Sequence, residues 1–383
     1  MLNKLIIILI VIAVVLGIGL LAIELIGPIG QYGNNGPTKS PEFVDRTTQT
    51  PVVTPSPSYS PTETPSESPD PTEMPTPEPT REPVEILISF AGDCTLGTDE
   101  TFAYTNSFQD RYERIGRDDS YFFKGVKPIF ENDDLTLVNF ESTFTTAEKK
   151  ADKRYRFKGD PALVNISNNH VYDYLDEGFQ DTLKTFEQAD ILYSGEGYTA
   201  YYETKGITIG SIGYVAWNTN IKDSLERDIA ELREKADLVI VSFHWGEERS
   251  NYPNSIQTEL GRFCIDQGAD IVAGHHPHVM QGIDKYKGKY IVYSLANFCF
   301  GGHGNPKDKD TFIFQNRFTM QNGGIINNEG IVYPCSVSSQ KNINDYQPTL
   351  LKDENREKVI IRILEYSEKL KYGITSDDVI FAE

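Results

Sequence analysis

The chain has 383 residues, a formal net charge of −20 and a sequence pI near 4.8. So acidic a surface argues against non-specific nucleic-acid binding, which depends on basic patches. It argues equally against a broad electrostatic grip on a polyanion, so an anionic substrate must have its charge met locally, by metal.

Composition divides the chain into three zones. Residues 1–36 are apolar, 37–83 are rich in Pro, Thr, Ser and Glu, and 84–383 have the composition of a globular α/β domain large enough to bury a full core. Leu5 to Ile23 is an unbroken apolar run, long enough to span a bilayer as one helix. Lys4 precedes it and no basic cluster follows, which places the N-terminus in the cytoplasm and the remainder outside the cell. The rival reading is a cleaved signal peptide, but the run exceeds a usual apolar core and no clear Ala-x-Ala site follows. The expected localisation is therefore the cell membrane, single-pass, with an extracellular C-terminal domain. The Pro-rich zone cannot bury enough apolar surface to fold and reads as a disordered, extended stalk.

The globular zone opens with a strand, Glu85 to Phe90, followed by Ala91-Gly92-Asp93. A second strand, Leu135 to Phe140, ends in Glu141, and Asn168-Asn169-His170 follows with Asp173 three residues on. Gly178 to Ala189 has helical spacing, with Phe179, Leu183, Phe186 and Ala189 on one face. Strand-like Ile207 to Val215 precedes a helix at Ser224 to Lys235. The buried strand Leu238 to Phe243 ends in His244-Trp245-Gly246, and a helix from Ser255 to Gln267 is stopped by Gly268. Ala269 to Ala273 reads as a buried strand and Tyr290 to Ser294 as another, leading to Asn297. Strands alternating with helices predict a largely parallel sheet.

Three of the six histidines lie in Gly274-His275-His276-Pro277-His278, at the end of a strand. Open α/β sheets place ligands at that carboxyl edge. His276 and His278 are two apart, so an extended backbone would send both to one side, toward one cation. Asp93, Glu141, His244 and Asn169 with His170 recur in similar positions. Each alone has a plainer reading: Gly92-Asp93 as a turn, Glu141 as a charge near a helix start, His170 as a structural histidine, His244 as a packed corner. His303 reads as a loop residue. Together they form the mixed Asp, Glu, His and Asn donor set of a Mn, Fe or Zn site, with room for two ions. A nucleophilic hydrolase is the rival, but there is no Gly-x-Ser-x-Gly elbow. Cys94 beside Asp93 has nothing to lower its pKa. The four cysteines form no Cys-x-x-Cys pair, and most read as buried free thiols.

These segments resemble the CapA family, the poly-gamma-glutamate capsule synthesis proteins, which looks like a branch of the calcineurin-like metallophosphoesterases. The resemblance rests on Phe90-Ala91-Gly92-Asp93, Asn139-Phe140-Glu141-Ser142, Asn168 to Tyr174, His244-Trp245-Gly246, Gly274 to His278 and Tyr293 to Phe298. It implies a sandwich of two mixed β-sheets flanked by α-helices. It implies divalent-metal ligation by Asp93, Glu141, Asn169, His170, His244, His276 and His278, with His275 and Asp173 near the site. Asn297 and Ser294 are candidates for contact with ligands or substrate. The implied role is synthesis or export of an anionic surface polymer, alongside other polymer-synthase subunits. The alternatives are hydrolysis of an extracellular phosphate ester and a non-catalytic scaffold. Two departures stand out. Asp93-Cys94-Thr95 replaces the Asp-x-His of metallophosphoesterases. Ala162 to Ser167 is also too short for both the helix and the strand that relatives carry there: it forms a strand with the helix lost, or the site is distorted near His170.

Overall fold

The computed structural model describes residues 82–98, 102–145 and 162–382. These lie in the compact unit Thr76–Glu383. The expected membrane helix and Pro-rich stalk fall outside the described residues. Among the described residues no helix is long and apolar enough to cross a membrane.

The strands are β1 (Val84–Thr95), β2 (Leu135–Phe140), β3 (Ala162–Asn165), β4 (Leu192–Ser194), β5 (Ala200–Thr204), β6 (Ile207–Ala216), β7 (Leu238–Trp245), β8 (Ile271–His275), β9 (Ile283–Tyr286), β10 (Lys289–Val292), β11 (Asn297–Phe300), β12 (Asp310–Gln321), β13 (Gly324–Ser336), β14 (Thr349–Leu350) and β15 (Val379–Phe381). The helices are α1 (Phe108–Arg114), α2 (Lys127–Phe130), α3 (Leu175–Gln188), α4 (Lys222–Arg233), α5 (Ser255–Gln267) and α6 (Asp353–Glu368).

They build two mixed sheets. The first runs β14-β13-β12-β1-β2-β3-β4, with β11 added to the end of β1 and β15 to β13. The second runs β5-β6-β7-β8-β10-β9. β1 to β4 are mutually parallel, as are β6, β7, β8 and β10. The antiparallel members make both sheets mixed.

Period-two alternation sorts the side chains into layers. Ile86, Ile88 and Phe90 of β1 share one core with Leu238 and Ile240 of β7 and Ile271 and Ala273 of β8, so these faces of the two sheets meet. The opposite face of β7, Val239, Val241, Phe243 and Trp245, packs with Leu225, Ile229 and Leu232 of α4 and Leu260 and Cys264 of α5. The outer face of the first sheet, Val138, Phe140 and Val164, packs on Phe179, Leu183 and Phe186 of α3. The layering is helix, sheet, sheet, helix.

The shortened stretch before Asn168 resolves as a strand: β3 pairs parallel with both β2 and β4, and Ala162 to Ser167 carry no helix. The longest hairpin, β12–β13, turns through Asn322 and Gly323, whose φ values of 53° and 75° mark the left-handed backbone of such a turn. α5 carries the bounds its spacing predicts. Its N-terminus has a reciprocal Asn254–Gln257 cap, and Gly268 with φ 117° closes it.

Candidate metal centre

Gly92-Asp93 is not a turn at a strand end. It lies inside β1, where the pairing with β2 shifts between Ala91 and Asp93. The bulge inverts the alternation: Phe90 faces the inter-sheet core and Ala91 the outer layer, but Cys94 also faces outward and Asp93 inward. Only glycine fits the bulge, because a Cβ on Gly92 would stand 2.0 Å from the Ala296 carbonyl oxygen. On β2 the inward series Leu135, Leu137, Asn139 continues to Glu141, whose N–H donates to the Cys94 carbonyl at 2.9 Å. β7 delivers His244 to the same interior and β8 delivers His275.

His276 and His278 arrive differently from the extended backbone expected of them. β8 ends at His275, and the next turn is left-handed at both, with φ 95° at His276 and 57° at His278. Just before the turn, Gly274 of β8 is pressed against Tyr293 and Trp245; a Cβ on it would lie 2.1 Å from the Tyr293 oxygen. Ala296 is also left-handed, with φ 62°, and accepts the Asp93 N–H at 2.8 Å. Three strained residues thus surround one carboxylate, as expected where surrounding structure enforces a site.

The resulting cluster is almost entirely buried. His278 Nδ1 lies 3.1 Å from Asp93 Oδ2, 3.9 Å from Glu141 Oε2 and 2.9 Å from Asn297 Oδ1. His275 Nδ1 is 3.6 Å from Asp93 Oδ1, and His244 Nε2 is 3.5 Å from Glu141 Oε1. The His276 ring centroid lies 4.5 Å from that of His244 and 5.8 Å from that of His278. Asn169, His170 and Asp173 form a separate exposed group. His170 Nδ1 donates to Asp173 Oδ2 at 2.9 Å, and the Asn169 amide reaches His170 Nε2 at 3.3 Å. Asn168 ties this loop to β2 through the Phe140 carbonyl at 2.7 Å, and Thr143 ties it through His170 O at 3.0 Å. Among the described residues His170 makes no hydrogen bond or ion pair to the buried cluster; its pKa is raised first by the bond to Asp173 and, against burial, by the Glu141 charge.

Both Glu141 oxygens, His244 Nε2, both His275 ring nitrogens and His276 Nδ1 are buried without a hydrogen-bond partner. Leaving such groups unsatisfied costs about 1–3 kcal/mol each, and more for a charge. Burial first, then the Asp93 charge, raises the Glu141 carboxyl to about 8. Burial holds His275 and His276 near 4, and burial with the neighbouring His276 pushes His244 well below its ordinary value. Burial also works against His278, but the Glu141 and Asp93 charges outweigh it and raise its pKa. Asp93 is depressed despite burial, through its bond to His278 and the imidazole charges around it. Burial thus keeps His244, His275 and His276 neutral, as a divalent cation requires of imidazole donors, and a cation would displace the protons that Glu141 and His278 hold. Glu141, His276 and His278 each offer one ligand atom, and these lie within 4.8 Å of one another. The orphaned atoms therefore fit a metal, with Asp93 and His244 beside that trio.

The sequence reading assigned no role to several neighbours. Asn139 donates to Asp93 Oδ1 and accepts from Asn165 Nδ2, both at 2.9 Å. Its period-two spacing before Glu141 was the available signal. Trp217 packs edge-on against His276 and His244. Phe300 covers His278 at 5.3 Å. All four cysteines are free and buried, and burial with the Asp93 and Glu141 charges pushes the Cys94 thiol up to about 12, so it is no nucleophile.

Residues 87–302 match the family model for bacterial capsule synthesis protein PGA_cap. The chain is 33% identical over 262 residues to the PGA biosynthesis protein CapA of Bacillus subtilis, covering 59% of this chain and 66% of that protein. It is 34% identical over 242 residues to the capsule biosynthesis protein CapA of Bacillus anthracis, covering 53% and 58%. The chain thus matches less than two thirds of the length of either relative. Among solved structures, a phosphatase from Mycoplasma pneumoniae aligns at a TM-score of 0.38 with 14% identity, covering 66% of this chain and 94% of that one. The match over residues 87–302, more than half of the chain, takes in β1, β2, β7 and β8 and the histidine turn, and the chain belongs to the bacterial capsule synthesis protein PGA_cap family.

Proposed function

We propose that the protein acts in the synthesis or export of an anionic surface polymer of the poly-gamma-glutamate type, through a divalent-metal centre at the inter-sheet edge. Family membership supports the polymer. The metal centre rests on one observation: a fully buried Glu141 carboxylate with no hydrogen-bond partner, set among imidazoles. Glu141, His276 and His278, with Asp93 and His244, would hold a Mn, Fe or Zn ion. Such an ion supplies Lewis acidity toward a carbonyl or phosphoryl oxygen. The chain's own part is positioning. Asn139 and His278 orient Asp93, Asn297 orients His278, and the surrounding apolar layers keep water from the carboxylates. The N-terminal apolar run would anchor the domain outside the cell, where it would meet polymer and other synthase subunits.

A second reading, hydrolysis of an extracellular phosphate ester, draws on the approach of both Asp93 and Glu141 to His278, a layout suited to two cations.

The test is elemental analysis of the purified full chain beside a His276→Ala/His278→Ala variant. Near-stoichiometric Mn, Fe or Zn, absent from the variant, is the expected result. A parent that takes up no metal after reconstitution would remove the catalytic reading and leave a scaffold. Turnover of a generic aryl phosphate would move the assignment to the phosphate ester.

A further inference from the structure

Trp217 is one of only two tryptophans in the chain, and the two are placed in opposite ways. Trp245 is fully buried, stacked on Phe243 at 4.3 Å and donating its indole N–H to Tyr293 O at 2.9 Å. Trp217 follows the last residue of β6, in the register that pairs Val215 with His244 and Ala216 with Trp245. Its ring is therefore set at the sheet edge that carries the metal centre. The indole stands 4.8 Å from the His276 ring and 6.0 Å from the His244 ring, edge-on to both, yet 48% of the residue is exposed. A core tryptophan would be covered, and this half-exposed one abuts two buried donor imidazoles. Its indole N–H has no partner among the described residues.

A second feature flanks the same turn. Arg249, on the loop after β7, is held with a left-handed backbone of φ 63°, and its N–H donates to the Pro277 carbonyl at 2.8 Å. Its backbone is thus fixed to the residue between His276 and His278. Its side chain is exposed and makes no ion pair or hydrogen bond among the described residues. In a chain with 56 acidic and 36 basic residues, an arginine that meets no carboxylate remains available to a ligand.

We infer that Trp217 and Arg249 are the substrate grip of this centre, recognising a polyamide strand that carries carboxylates. The inference rests on the polymer reading above and gives it residues. The indole offers a face on which a flat amide plane stacks and an N–H for its carbonyl or carboxylate. The guanidinium takes a neighbouring carboxylate in a two-point contact. Together they would set one amide of the strand against the mouth of the histidine cluster, and the guanidinium supplies local positive charge on an acidic surface. Glu248 beside Arg249 is also exposed, and its charge acts on Glu141, His276 and His278; it would repel a strand that strayed from the arginine.

The test titrates the full, metal-loaded chain with a short γ-linked oligoglutamate, following tryptophan emission and, in parallel, heat of binding. Emission should change in the parent and stay constant in Trp217→Phe, because Trp245 is shielded. Trp217→Ala should raise the calorimetric Kd about tenfold. Arg249→Met should raise it severalfold and flatten its salt dependence. Metal content and melting temperature should match the parent in all three, which separates grip from folding. Equal Kd values in the parent, Trp217→Ala and Arg249→Met would overturn the inference while leaving the polymer reading intact. Absence of oligoglutamate binding by the parent would overturn the polymer reading and this inference with it.

Discussion

Asn139 Nδ2 donates to Asp93 Oδ1 at 2.9 Å, and Asn139 Oδ1 accepts the Asn165 amide at the same distance. The relay runs from β1 through β2 to β3, and Asn165 then reaches the backbone at Ser167. It is also wedged against the second sheet: a Cβ on Gly213 of β6 would lie 2.0 Å from Asn165 Oδ1. An amide has a donor end and an acceptor end, so the chain has one direction and fixes which Asp93 oxygen is occupied. Asn139→Leu would leave Asp93 Oδ1 and the Asn165 amide without their partner. The expected cost is about 1–3 kcal/mol of stability by denaturant titration. Metal affinity should fall by about 10- to 100-fold in competition with a chelator. Unchanged affinity would show that Asp93 needs no such support.

Gly92→Ala tests the bulge. The added Cβ would meet the carbonyl oxygens of Ala296 at 2.0 Å and Leu295 at 2.8 Å, both backbone atoms that cannot swing aside. The β1–β11 pairing, in which Asp93 faces Asn297, should open. Low soluble yield, or soluble protein devoid of metal, is expected. A folded variant with parental metal content would mean that Asp93 does not depend on the bulge.

How much of this was readable beforehand follows from which physical signals are local. The apolar runs of β7 and β8 and their histidines stood out, because parallel strands buried on both faces leave continuous hydrophobic stretches. Asn322-Gly323, a strong hairpin signal, went unread because β12 and β13 alternate less regularly than a surface hairpin does. The inversion at Gly92 could not be read, since β1 is buried on both faces there and its residues show no alternation for a bulge to break. Spacing placed His276 and His278 together, but by the wrong backbone: two left-handed residues, rather than an extended strand, bring their rings to one place. Trp217 and Asn165 depend on contacts between segments distant in sequence, and no local pattern reports those.

Asp308 and Arg362 give a pH signature away from the centre. Arg362 on α6 holds both Asp308 oxygens, at 3.0 and 2.6 Å, and also bonds Asp310. Burial alone would raise the Asp308 pKa, but the Arg362 bonds and charge outweigh it and the net shift is downward. A carboxylate depressed in the folded state contributes stability above its unfolded pKa and loses it as pH falls through the folded value. Stability should therefore decline below about pH 4, the ordinary carboxylate range, and part of that slope should vanish in Arg362→Met. The same substitution should cost about 1–3 kcal/mol at neutral pH, the worth of charged hydrogen bonds. An identical acid slope in parent and variant would rule out this pair as its source.

Glu141→Gln separates the metal's contribution from the fold's. In the metal-free protein Glu141 is fully buried beside Asp93 with no hydrogen-bond partner and its carboxyl is raised to about 8, so near neutral pH folding must protonate it, a cost that opposes folding. A neutral amide of nearly the same shape removes that opposition, and the metal-free variant should melt at or above the parent's temperature. With metal present the order should reverse. The parent gains stability from a ligand that binds only the folded state, and the variant, lacking one anionic donor, gains far less. Paired thermal melts with and without added Mn or Zn read both effects in one experiment. A variant that is destabilised without metal and stabilised by metal as much as the parent would show that Glu141 serves the fold and is not a ligand.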